Sequence, residues 1–141
     1  MPEGNAVTQA ATLDAPAQTP FDRIGGLDVL REVTERFYDL MEQDPAYAEL
    51  RAMHAPDLTE MRRALPLFLS GWAGGPRTWW EENPGKCMMS AHGGFRIDAT
   101  TGGQWAEAMR RAIADTEVAD REIADAMADV LERMAKGMAR G

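Results

Sequence analysis

Cysteine is nearly absent from this chain: among 141 residues only Cys87 carries a thiol. One cysteine closes no intramolecular disulfide. With two histidines beside it, it also falls short of the four donors of a structural zinc site. The fold therefore has to be held by its core. Basic residues are short as well: 15 Lys and Arg stand against 23 Asp and Glu, a formal net charge of -8. Such a surface is repelled by phosphate backbones and anionic headgroups, which argues against nucleic acid and membrane partners. No apolar run approaches the roughly 20 residues that cross a bilayer. The first residues show neither a basic start nor an apolar stretch, so no secretory signal is expected and a cytoplasmic location is the default. No segment sustains the period-two alternation of a half-buried strand. No strand precedes the glycine pairs and no Gly-Lys-Ser/Thr follows them, so they read as turns and not as a phosphate loop.

What is present is a globular composition, 45% hydrophobic, in a length suited to one domain able to enclose a flat cofactor. Residues 1–20, rich in Ala, Thr, Pro and Gln, read as a flexible N-terminal extension, and 21–141 as the folded domain. The expected class is all-α. Leu27, Leu30, Val33, Phe37, Leu40 and Met41 recur at three- and four-residue steps, with Tyr38 beside them, and Asp44-Pro45 closes that helix. A short helical stretch, 46–53, leads to the corner His54-Ala55-Pro56. Asp57 is expected to cap a helix bearing Leu58, Met61, Leu65, Phe68, Leu69 and Trp72, with a kink or a break near Pro66 and a stop at Gly74-Gly75-Pro76. A loop and short helix should precede His92, before Gly93-Gly94. A further helix, capped by Thr100, Thr101 or Gly102, carries Trp105, Met109, Ala112 and Ile113. The last, from about Asp120, carries Ile123, Met127, Val130, Leu131, Met134 and Met138. Asp115 to Asp120 is the hinge between them.

Taken singly, the striking residues have ordinary explanations. Tyr38 and Trp105 are core aromatics on amphipathic helices. Trp72, Trp79 and Trp80 are packing or surface side chains, Cys87 is a small buried one, and His54 is a corner residue. Their order says more. Phe37-Tyr38-Asp39-Leu40-Met41, the His54 corner, Phe68-Leu69-Ser70-Gly71-Trp72-Ala73-Gly74-Gly75-Pro76, a lone His92 before Gly-Gly-Phe-Arg-Ile, and Gln104-Trp105 opening a helix follow one another. This resembles a group II truncated haemoglobin, the two-over-two α-helical globin, across about residues 21–139.

The resemblance implies haem b (iron protoporphyrin IX) with His92 as its iron ligand, the metal-binding residue. Phe95, Ile97, Leu65 and Phe68 would pack on the haem. Tyr38, Trp105, His54 and Met61 would line the distal pocket, where dioxygen and other diatomic ligands bind. The chemistry suits these roles. Neutral imidazole is a strong axial donor. A phenol O–H and an indole N–H stabilise partial negative charge on a ligand in a dry pocket, and Met61 is apolar and adaptable. Dioxygen handling or transport, nitric oxide dioxygenation and peroxidase-like chemistry are the activities implied. The last two need an electron donor, and without a flavin or nicotinamide fingerprint the reductase would be a separate protein. Two other readings remain: a haem-based sensor, and a helical interaction protein that has lost haem. The second is motivated by Met89 and Ala91, which stand where the family usually carries arginines; Lys86, Arg96, Arg63 or Arg77 would then have to serve the haem propionates. The methionine and tryptophan content points to a homodimer interface.

Overall fold

The computed structural model describes residues 18–85 and 97–138, and every described segment of regular structure is helical. The first helix, α1 (Pro20–Ile24), was not among the sequence-predicted elements. It is set by a reciprocal cap: the Thr19 hydroxyl accepts from the Asp22 N–H, the Asp22 carboxylate accepts from the Thr19 N–H, and Pro20 opens the first turn. Two backbone hydrogen bonds seat α1, from Phe21 N–H to the Ala73 carbonyl and from Ala119 N–H to that of Ile24. Gly25 and Gly26, both at positive φ, turn the chain into α2 (Leu27–Gln43).

On α2 the buried residues are Leu30, Val33, Thr34, Phe37, Tyr38 and Met41, one continuous stripe at three- and four-residue steps. Asp44 ends the helix, and its carboxylate accepts from the Ala46 N–H to start a single 3-10 turn, Pro45–Tyr47, which runs into α3 (Ala48–Ala52). The corner follows. The cap of α4 (Thr59–Trp72) is Leu58, which makes no side-chain capping bond, and not the Asp57 expected; Asp57 instead accepts from both the N–H and the hydroxyl of Thr59, at 2.9 and 2.7 Å.

Of the kink or break expected near residues 62–66, the break does not occur: α4 is one unbroken helix with Pro66 buried inside it. A proline there leaves the carbonyl of Arg62 without its helical donor, at a cost of roughly 3 kcal/mol in an exposed helix. Burial of Phe68 and Leu69 on the same helix, about 1.5–3 kcal/mol for each side chain, offsets that loss. After Gly74, at positive φ, the chain enters α5 (Thr78–Glu82).

The last two helices are α6 (Ala99–Asp115) and α7 (Arg121–Gly137). The cap of α6 is Asp98 and not the Thr100, Thr101 or Gly102 expected. Thr101 is the third helical residue and returns the hydrogen bond to the Asp98 N–H. Asp120 caps α7 as expected, and its carboxylate also receives Arg23 of α1 at 2.8 Å. Helices α6 and α7 pack along each other, α4 packs along α2, and α2 against α6 joins the two pairs. That is the two-over-two arrangement, and the all-α expectation holds. No helix among the described residues is long and apolar enough to cross a membrane.

Candidate functional site

The junction of the helix pairs brings three of the sequence-predicted residues into one aromatic cluster. Tyr38 comes from α2, His54 from the corner after α3, and Trp105 from the first half of α6. The Tyr38 and His54 rings stand edge-to-face with centroids 6.1 Å apart. Phe37 links the other side, 4.9 Å from Tyr38 and 5.3 Å from Trp105. Phe37 was legible only as a core position, yet it is the wall on which the other two aromatics lean.

Tyr38 is 2% exposed. Neither its hydroxyl nor the Trp105 indole N–H has a hydrogen-bond partner among the described residues. A buried donor without an acceptor costs on the order of 1–3 kcal/mol, so such groups call for an explanation in function. Burial pushes the Tyr38 phenol above its ordinary pKa, and the positive charge of Arg62 pulls it partly back. The group is a neutral donor throughout the physiological range.

His54 is held at Nδ1, which lies 2.9 Å from the Leu50 carbonyl oxygen. A carbonyl can only accept, so Nδ1 carries the proton. The N–H of Leu50 in turn donates to Gln104 Oε1 at 3.0 Å, and Gln104 Nε2 donates to Glu49 at 2.8 Å. Gln104 therefore ties the corner of His54 to the helix turn that carries Trp105. Its position beside Trp105 was visible in the sequence, but a partner more than fifty residues away was not.

Met61 and Leu65 lie one turn apart on α4, hence on one face. Met61, 37% exposed, is the large apolar side chain most open to solvent among the described residues, and Leu65 and Ile97 are only partly covered. Incompletely covered apolar side chains, in a fold with two donors that have no acceptor among the described residues, suit a flat apolar cofactor with a polar ligand on it. Haem fits these residues. Phe68, 8% exposed, packs edge-to-face on Trp79 at 5.3 Å and stacks on Trp80 at 5.1 Å. Of the expected propionate partners, Arg63 is occupied by Glu60 and Glu82, and Arg77 lies 4.4 Å over the Trp80 ring. His92, Phe95, Lys86, Cys87, Met89, Ala91 and Arg96 lie outside the described residues.

One residue had no sequence signal at all. Arg62 of α4 reaches α2, where it meets Glu35, Asp39 (3.0 Å) and Glu42 (2.8 Å), with its guanidinium carbon 5.8 Å from the centre of the Tyr38 ring.

The chain matches the bacterial-like globin family over residues 19–140. Among solved structures it is similar to the group II 2-on-2 hemoglobin of the plant pathogen Agrobacterium tumefaciens, with 28% identity and a TM-score of 0.83 over 90% of this chain and 98% of that one. It is similar to the cold-adapted truncated hemoglobin of the Antarctic marine bacterium Pseudoalteromonas haloplanktis TAC125, with 27% identity and a TM-score of 0.82 over 88% and 99%. The group II truncated hemoglobin of Bacillus anthracis matches at 27% identity and a TM-score of 0.78 over 88% and 98%. With a family match across the folded helices and a fold shared along nearly the whole of each relative, the chain belongs to the bacterial-like globins, a haem-binding globin of the group II truncated, two-over-two type.

Proposed function

We propose that this globin carries haem b on His92 and binds dioxygen and other small diatomic ligands under the control of Tyr38 and Trp105. The observation that carries this is the pair of donors at one aromatic cluster, the buried Tyr38 hydroxyl and the Trp105 indole N–H, neither with an acceptor among the described residues. Haem, when bound, supplies an iron centre that takes a diatomic ligand. Tyr38 and Trp105 each donate a hydrogen bond toward the negative charge that such a ligand draws to itself, and they do so in a dry site where that bond is strong. His54, fixed by its Nδ1–H to the Leu50 carbonyl, closes the pocket at the corner. Met61 and Leu65 keep water from the ligand side, and Ile97, Phe95 and Phe68 supply apolar packing, Phe68 through its stack with Trp79 and Trp80. Nitric oxide or peroxide turnover would draw electrons from a separate reductase, in the cytoplasm.

Absorbance spectroscopy of the recombinant chain supplied with haem tests the ligand assignment. A Soret band is expected, lost or displaced in His92→Ala. No band, or one that the substitution leaves unchanged, overturns it. For the donors, Tyr38→Phe and Trp105→Phe should each speed dioxygen dissociation by about tenfold, the worth of one hydrogen bond. Unchanged rates in both variants would refute their role.

A further inference from the structure

We propose that Arg62 is a positioning residue for the Tyr38 hydroxyl: held over the phenol ring by three carboxylates of α2, it sets how strongly Tyr38 donates to a bound ligand. This rests on Tyr38 acting as a ligand donor.

The geometry is specific. Glu35, Asp39 and Glu42 form a stripe at four- and three-residue steps along α2, and Tyr38 is the residue next to Asp39. All three carboxylates converge on one guanidinium, which also reaches the Glu35 carbonyl. The Arg62 side chain is 22% exposed, while its partners are 40–57% exposed. A single ion pair would tether α4 to α2. A planar fork engaged on three sides also has its orientation fixed, which a lysine could not reproduce. What that orientation presents to the interior is a cation over the Tyr38 ring. A cation at a ring face draws electron density from the π system and strengthens the phenol O–H as a donor. Consistent with this, Arg62 is the charge that opposes the effect of burial on the phenol. The same turn of α4 is where Pro66 leaves the Arg62 carbonyl without a helical donor, so the clamp acts where the helix is least able to fix itself.

The test is a double-mutant cycle in the haem-loaded full chain, combining Arg62→Met with Tyr38→Phe. It is read by the C–O stretching frequency of the carbon monoxide complex and by the dioxygen dissociation rate. Arg62→Met is expected to raise the frequency, as a weaker donor does, and to speed dissociation roughly two- to fivefold, the size of one cation–π contact. In the Tyr38→Phe background it should change neither readout. Arg62→Lys, which keeps a cation and a tether, should fall between the two, again only when Tyr38 is present. Equal shifts in both backgrounds make Arg62 a helix tether alone and overturn the proposal, and so does the absence of any shift. If Arg62→Met does not fold, the Arg62→Lys cycle decides by the same criteria. If Tyr38→Phe alone moves neither readout, the donor role of Tyr38 falls, a failure distinct from that of Arg62.

Discussion

Tyr38 shows how one side chain serves both packing and chemistry. Its ring belongs to the core stripe of α2 and would be worth its place there for apolar area alone. The hydroxyl adds a polar atom that the described protein does not satisfy. Phenylalanine would pack as well with no such cost, so the oxygen speaks for ligand binding and against stability. Its raised pKa has a consequence of defined sign. The folded state holds the proton more tightly than the unfolded chain, whose phenol titrates near the usual value of about 10. Ionisation of Tyr38 therefore leaves stability untouched below about pH 10 and lowers it as the pH climbs toward the folded pKa. Chemical unfolding followed above and below pH 10 should show a fall in stability on the alkaline side, smaller in Tyr38→Phe.

Single elements depend on caps and close approaches. On α6, Asp98 and Thr101 each accept a backbone hydrogen bond from the other. Asp98→Ala should lower the unfolding free energy by about 1 kcal/mol, measured by denaturant titration. It should also fray the turn that leads to Trp105. On α4, Gly71 faces α5 so closely that a Cβ would lie 2.4 Å from the Trp80 ring. In a free helix alanine would be the better residue there. Here Gly71→Ala should destabilise by roughly 1–3 kcal/mol through overpacking, again by denaturant titration. Stabilisation would mean that Trp80 is free to move aside.

The whole molecule is two helix pairs whose surfaces are laced with ion pairs. Asp98 and Asp120 are held below the ordinary carboxylate range chiefly by backbone N–H groups at their caps; side-chain hydrogen bonds do the same for Asp44 from Arg111 and for Glu132 from Lys136. Each of these contributions is present above the unfolded carboxylate pKa of about 4 and is lost as the pH falls through the lower folded value. The thermal unfolding midpoint should thus fall on acidification below about pH 4. Raising the salt concentration at neutral pH should change it little, because exposed pairs are worth little individually.

Local pattern carried much of this protein. Leu30, Val33, Phe37 and Met41 of the α2 stripe, the Asp44 stop, the Asp120 cap and the glycine turns were legible because helix periodicity and capping depend on residues three or four apart; Leu27 and Leu40, read into the same stripe, are only partly covered, and Tyr38, read beside it, is buried in it. The order of the aromatics, the corner histidine and the glycine turns was enough to recognise the family. Other features depended on neighbours distant along the chain. Pro66 was a breaker by its own chemistry and became an interior helical residue once Phe68 and Leu69 were buried around it. The packing of Phe68 on Trp79 and Trp80 appears only when α5 folds back on α4. The roles of Arg62 and Gln104 were not visible either; their partners lie about 20 and 55 residues away, on other helices. Periodicity says which face of a helix is buried, because that depends on apolar area alone. Which polar groups meet across two buried faces is decided by the crossing of the helices, which exists only in the folded molecule.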